Sequence, residues 1–173
     1  QARPSALSGP VAECQEDGSF AADGVVLDPA AEGSRLRLMH LVLPQGAVLT
    51  TRTMLPRLGA RDLARVVTLE LDRLLPFPPG TAIGAGRSLP DDGEAGQTKG
   101  ATLVAGMPLA RATALFEAAR AAGIEPLSLT WRSPEDDRVT IDLLPALVAS
   151  GQIVPRRDTR PFWWGLVAAL FLA

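Results

Sequence analysis

The residue types that carry most protein chemistry are scarce in this chain, which has one histidine, His40, and one cysteine, Cys14. Nucleophilic catalysis sets a serine, cysteine or threonine beside a base; with a single imidazole and no GxSxG turn, the usual arrangements are absent. Cysteine and histidine are also too few for a thiolate–imidazole metal site, and no acidic cluster at ligand spacing accompanies His40. In a strand-like segment a lone histidine reads as a half-buried side chain. Asp136 and Asp137 are neighbours in the turn-like stretch SPEDDR, where adjacent side chains point apart, so they read as solvated acids rather than an acid/base pair.

Three glycine-bearing segments invite a phosphate reading, and none sustains it. In PDDGEAGQTKG, residues 90–100, the pattern GxxxxGK[ST] counted from Gly93 requires glycine where Thr98 stands and Ser or Thr where Gly100 stands. GAGRS, residues 84–88, is half of a dinucleotide fingerprint, but it lacks the third glycine and leads to Pro90 instead of a helix. Asp23-Gly24 is a bare turn dipeptide. The sequence therefore predicts no catalytic, cofactor or metal site, and the absence favours a scaffold over an enzyme.

Any functional surface must then be a surface for partners. The 173 residues carry a net charge of −2 with the signs interspersed, which removes the concentrated basic face of a nucleic-acid binder. Hydrophobic residues make up 47% and charged residues 21%, enough to fold one domain or one domain with a tail, while 16 Gly and 15 Pro imply many turns. The single cysteine fits a reducing compartment. Residues 1–10 lack the charged and apolar regions of a signal peptide, and the chain reads as a fragment at both ends.

The strongest periodic element is at residues 60–79, ARDLARVVTLELDRLLPFPP. Leu63, Val66, Val67, Leu71, Leu74 and Leu75 recur at three- and four-residue steps along one helical flank, with Gly59 before them and Pro76, Pro78 and Pro79 as a stop. Ahead of it, residues 35–43 and 47–55 read as a strand hairpin turning at Pro44-Gln45-Gly46. Behind it come a short strand at 81–89 broken by Gly84 and Gly86, a strand at 101–107, and a helix from Pro108 to about Ala122 capped by Gly123. Arg111, Glu117 and Arg120 fall on that helix's outer side. Strands at 124–131 and 139–144 complete an α+β body at 34–145, a mixed sheet with both helices on one face. Residues 1–33 read as a weakly ordered arm with one strand at most, and 146–160 as a basic linker.

The last twelve residues, FWWGLVAALFLA, carry no charge and half of the chain's aromatic residues. Arg156, Arg157 and Arg160 followed by Trp163 and Trp164 have the order of a membrane entry, with cations among headgroups and indoles at the interface. Residues 161–173 are thus expected to begin a transmembrane helix, about twenty apolar residues being needed to cross a bilayer.

Four weak motifs in a fixed order carry a family likeness. ELDRLLPF at 70–77 after an extended segment ending in Leu55-Pro56, the run VAGMPLARATALFEAARAAGIEPLSL, and IDLLPALVASG followed by arginines and an apolar stretch together resemble the cytoplasmic part of the type II secretion inner-membrane protein L family. The likeness spans about residues 35–173. Type IV pilus assembly protein N is a related reading, although its cytoplasmic part is normally a short tail.

The resemblance implies an actin-like fold built of ribonuclease-H-like subdomains, here with a shortened opening subdomain. It also implies a non-enzymatic, ATP-independent adaptor, single-pass in the bacterial inner membrane with its N-terminal domain cytoplasmic. The implied partners are a secretion ATPase on the cytoplasmic side, the companion inner-membrane protein M, membrane lipid and a second copy of the chain. On this reading the exposed positions around the first helix, Arg65, Asp72, Arg73 and Phe77, are the candidate docking surface. Two other readings stay open: an actin-like nucleotide-binding assembly protein of a type IV pilus-like system, and a soluble α+β domain.

Overall fold

The structure is a computed structural model that describes residues 9–27, 37–89, 99–136 and 138–153. Their class is α+β, as expected, but the strands form two sheets instead of one. The first has six strands in the order β3-β2-β1-β4-β8-β9: β1 (Val11–Cys14), β2 (Phe20–Ala22), β3 (Val25–Val26), β4 (Arg37–Val42), β8 (Ile124–Arg132) and β9 (Thr140–Asp142). β1, β4 and β8 run parallel, while β2, β3 and β9 are antiparallel to their neighbours, so this sheet is mixed. The second is antiparallel in the order β5-β7-β6, from β5 (Leu49–Pro56), β6 (Ala82–Ser88) and β7 (Lys99–Pro108).

The expected hairpin of β4 and β5 does not exist. Gly46 keeps an ordinary negative φ, so Pro44-Gln45-Gly46 cannot make the primed turn that folds two strands back on each other. It makes a short 3-10 turn, with the Ala47 N–H donating to Pro44 O at 3.0 Å, and the chain crosses to the other sheet with Ala47 and Val48 buried. β4 is flanked by β1 and β8, its Leu41 facing Leu129. Between Met39 and His40 the register with β8 shifts, which places Pro126, a residue without an N–H, at a bulge where its missing donor is tolerated.

The presumed arm is part of this sheet in its described portion. Ala12, Cys14, Phe20 and Ala21 are buried, and β2 and β3 are joined by Asp23 (φ 51) and Gly24 (φ 78), a primed turn that accounts for the Asp-Gly pair. The core lies against the face bearing Ala12, Met39, Leu41, Leu129 and Trp131; Phe116 and one face of the second sheet, with Ile83, Ala105 and Met107, join the same cluster.

β7 is the central strand of the second sheet and is buried from Thr102 through Met107. The other face of its sheet carries α1 (Ala60–Leu74), through Leu63, Val67, Leu71 and Leu75. The glycines expected to break β6 instead form the bed for this helix. A Cβ on Gly84 would overlap the Leu71 methyl, one on Gly86 would come to 2.9 Å of Val67 Cγ2, and one on Gly106 to 2.7 Å of Leu75 Cδ1. The helix stops where predicted: Leu75, before Pro76, is extended at φ −132 and ψ 150.

α2 (Leu109–Ala121) buries Ala112, Phe116 and Ala119 in the main core, and Gly123 follows it at φ 76. The two helices therefore do not share a face of one sheet, because each serves a different apolar cluster. The predicted last strand stops at Asp142, and the start of the presumed linker is folded: α3 (Leu144–Ala149) buries Leu147, and Ile153 is buried beyond it. Asp142 makes this corner, its Oδ1 accepting from the Leu129 N–H at 2.9 Å and the Leu144 N–H at 3.0 Å.

Candidate functional site

The end of α1 and the proline-rich turn after it enclose an open pocket of about 210 Å³. After Leu75 the chain bends at Pro76, where the Phe77 N–H donates to Leu75 O at 2.7 Å and closes a three-residue turn. Pro78-Pro79-Gly80-Thr81 then reverses it. Pro79 and Gly80 hold the two central positions, Gly80 supplies φ 74, and Pro78 O accepts both the Thr81 N–H (3.2 Å) and the Thr81 hydroxyl (2.7 Å). The turn faces the last two turns of α1, and Thr68, Leu69, Asp72, Phe77 and Pro78 are among the pocket's walls.

Phe77 is half-buried; its ring edge packs over Gly106, where a Cβ would come to 3.3 Å of Cε2. One side of the ring thus belongs to the small apolar cluster under α1, and the ring also lines the pocket. Leu69 is 69% exposed, which for a leucine on a helix is a standing loss of apolar burial, on the order of 1.5–3 kcal/mol against full burial. With leucine, phenylalanine and proline in its walls and the Asp72 carboxylate beside them, the pocket suits an apolar side chain flanked by a cation.

Of the four sequence-predicted residues, Asp72 and Phe77 meet in this pocket. Arg65 is exposed two turns earlier on the same helical stripe, seven residues before Asp72. Arg73 is not part of the pocket: its Nη1 donates to Glu70 at 2.9 Å in an exposed pair, which is worth little. Leu69 is absent from the sequence-predicted set, although its signal is there as an apolar side chain on the polar flank of an amphipathic helix. The membrane-interface candidates Arg156, Arg157, Arg160, Trp163 and Trp164, and the run 161–173, lie outside the described residues. No helix among the described residues is long and apolar enough to cross a membrane.

His40 behaves as its surroundings predict. It is half-buried under Gly9, its Nδ1 lies 2.9 Å from Ser128 Oγ, and that hydroxyl is shared with Thr130 Oγ1 at 2.9 Å. A buried serine held by a second hydroxyl is not presented to a substrate, so the row stitches β4 to β8. Burial pushes the Cys14 thiol up, away from reactivity. Among the described residues no three of His, Cys, Asp and Glu converge as a metal-binding group. Arg120, expected to face outward, instead forms a two-pronged bond with Glu125 (2.8 and 3.1 Å), which raises its pKa further, and stacks 4.5 Å from the Phe116 ring centroid.

No protein-family model matches the chain, and no curated protein matches it. Among solved structures, a chain of a PilM-PilN type IV pilus biogenesis complex aligns with 68% of this chain at 21% identity and a TM-score of 0.47. The aligned part covers 42% of that chain, so this sequence is similar to less than half of that pilus-assembly component.

Proposed function

We propose that the chain is a non-enzymatic adaptor of a type II secretion machine. Its folded body captures the secretion ATPase on the cytoplasmic side, and the run 161–173, led in by Arg156, Arg157, Arg160, Trp163 and Trp164, holds it in the inner membrane beside the companion protein M. The observation that carries the reading is the pocket at the end of α1, where the exposed Leu69 and the Asp72 carboxylate flank the wall formed by Phe77. The ELDRLLPF stretch, which supplies Leu71, Asp72 and Phe77 to it, is also the first of the motifs carrying the family likeness.

The test is capture of the system's ATPase by the chain. Leu69→Ser and Asp72→Arg are expected to abolish capture, whereas Arg73→Glu, outside the pocket, leaves it intact; capture unchanged by all three removes the pocket as the docking site. Carbonate extraction of membranes is expected to leave the protein in the pellet, and its release would end the anchored part of the reading. A calorimetric titration with Mg-ATP is expected to be flat. Heat of binding would transfer the chain to the actin-like nucleotide-binding class.

A further inference from the structure

The second sheet has two edges, and they are treated differently. β6 is covered, with Arg87 reaching across to Thr140, its Nη1 donating to the backbone O at 3.1 Å and lying 3.2 Å from Oγ1. β5 pairs with β7 on one side only, over all eight of its residues, and among the described residues no strand lies on its other side. An open edge of that length is a template for another strand unless charge, bulge or proline blunts it. β5 has a continuous register with β7, its proline stands at the end, and its one charge, Arg52, is drawn to Glu135 at 3.3 Å. Leu49 and Met54 are 47% and 52% exposed along it.

We infer that this edge pairs with β5 of a second copy of the chain, joining two three-stranded sheets into one of six. A two-fold axis normal to a sheet brings an edge against its copy antiparallel, the polarity this sheet has throughout. Because facing residues must share a face of the sheet, a residue at the centre faces its own copy across the axis, and the axis does not fall level with a peptide bond between two residues. Two centres pair seven residues. One, at Arg52, sets the two guanidinium groups opposite each other. The other, at Thr53, sets Thr53 against its copy, Thr51 against Leu55, and the aliphatic stem of Arg52 against the exposed Met54, with the N–H-less Pro56 at the end opposite Thr50. Of these two registers the one at Thr53 opposes no like charges, and this self-complementarity favours a second copy over a foreign strand.

The experiment uses the full chain in mild detergent with single cysteine substitutions, native Cys14 being buried. Facing residues of an antiparallel pair lie about 4.5–5.5 Å apart between Cα atoms, within disulfide reach, whereas Met54 and its copy would lie about 8 Å apart and out of reach. Under a mild oxidant Thr53→Cys is expected to become a disulfide dimer, and Met54→Cys and the unsubstituted chain to stay monomeric on a denaturing gel. In sedimentation equilibrium the unsubstituted chain is expected to dimerise, and Thr53→Asp, with two carboxylates on the axis, to weaken the dimer by roughly tenfold or more. Circular dichroism of Thr53→Asp checks that it is folded. The inference is overturned if Thr53→Cys cross-links no faster than Met54→Cys, or if the unsubstituted chain sediments as a monomer throughout the micromolar range.

Discussion

Replacing Gly106 with alanine adds one methyl group and tests whether α1 is seated on the sheet by the absence of side chains. The new Cβ would come to 2.7 Å of Leu75 Cδ1, 3.1 Å of Ile83 O and 3.3 Å of Phe77 Cε2. The leucine methyl can swing away, but Ile83 O belongs to the β6 backbone, fixed by the β6–β7 ladder in which Gly106 faces Gly84. Overpacking of this kind costs about 1–3 kcal/mol. Against it stands about 0.4–1 kcal/mol from the reduced freedom of alanine in the unfolded chain, which leaves a net loss of about 1–2 kcal/mol. For a chain of this size that lowers the thermal midpoint by about 2–8 °C. The assay is urea unfolding followed by circular dichroism, with an unchanged slope showing that stability itself has moved. Gly59→Ser is the contrast: nothing lies within 4 Å of its Cβ, φ is −63, and serine at that N-cap is expected to leave stability equal or a few tenths of a kcal/mol higher. A Gly106→Ala chain as stable as the parent would refute the seating argument, because the clash would then have been absorbed without loss.

The Arg120–Glu125 pair is largely buried, with side chains 26% and 11% exposed, so Glu125→Gln is expected to cost about 1–3 kcal/mol in the same urea experiment; an unchanged midpoint would mean that the stacking on Phe116 alone holds the guanidinium. Burial pushes the Asp142 carboxyl above its ordinary value, with the Leu144 and Leu129 N–H donors pulling the other way. The folded state then holds that proton more tightly than the unfolded chain does, so this group's contribution to stability falls as pH rises from the ordinary aspartate range through the raised value. Asp142→Asn keeps an oxygen acceptor for both N–H groups and is expected to flatten that slope, measured as urea midpoints across the acid range; an identical slope would exclude Asp142 as its source.

What could be read from the sequence followed the range of the interactions involved. α1 was legible because its buried flank repeats within single turns and Pro76 ends it, and α2 because Pro108 and Gly123 mark its limits. The pairing of strands is not legible, because a strand's partner is not written in its own alternation: the pattern favours pairing β4 with β5, its neighbour in sequence, while its partners are β1 and β8. β1 and β2 are hard to see in the sequence because three of the four residues they bury, Ala12, Cys14 and Ala21, are small, and together with Phe20 they spell no apolar run. Gly84 and Gly86 read as interruptions in the sequence, since their role appears only against the side chains of Val67 and Leu71. The pocket is half legible: Asp72 and Phe77 stand out from the helix and its stop, but the fold of the turn onto Leu69 depends on Gly80 taking a left-handed φ.

The separation between the two halves of the six-stranded sheet also dictates an order of assembly. His40 and Ser128 touch across 88 positions, and most of that interval is occupied by the β5–α1–β6–β7 unit, whose own pairings are closer in sequence. Closing so long a loop carries its entropy cost before any contact is returned, so that inserted unit forms early and β8 completes the larger sheet late. During synthesis β1–β4 must therefore wait, with one side of β4 unpaired, until residues 124–132 have left the ribosome. Pulse-labelled hydrogen exchange during refolding should record this as protection of β7 amides before those of β4.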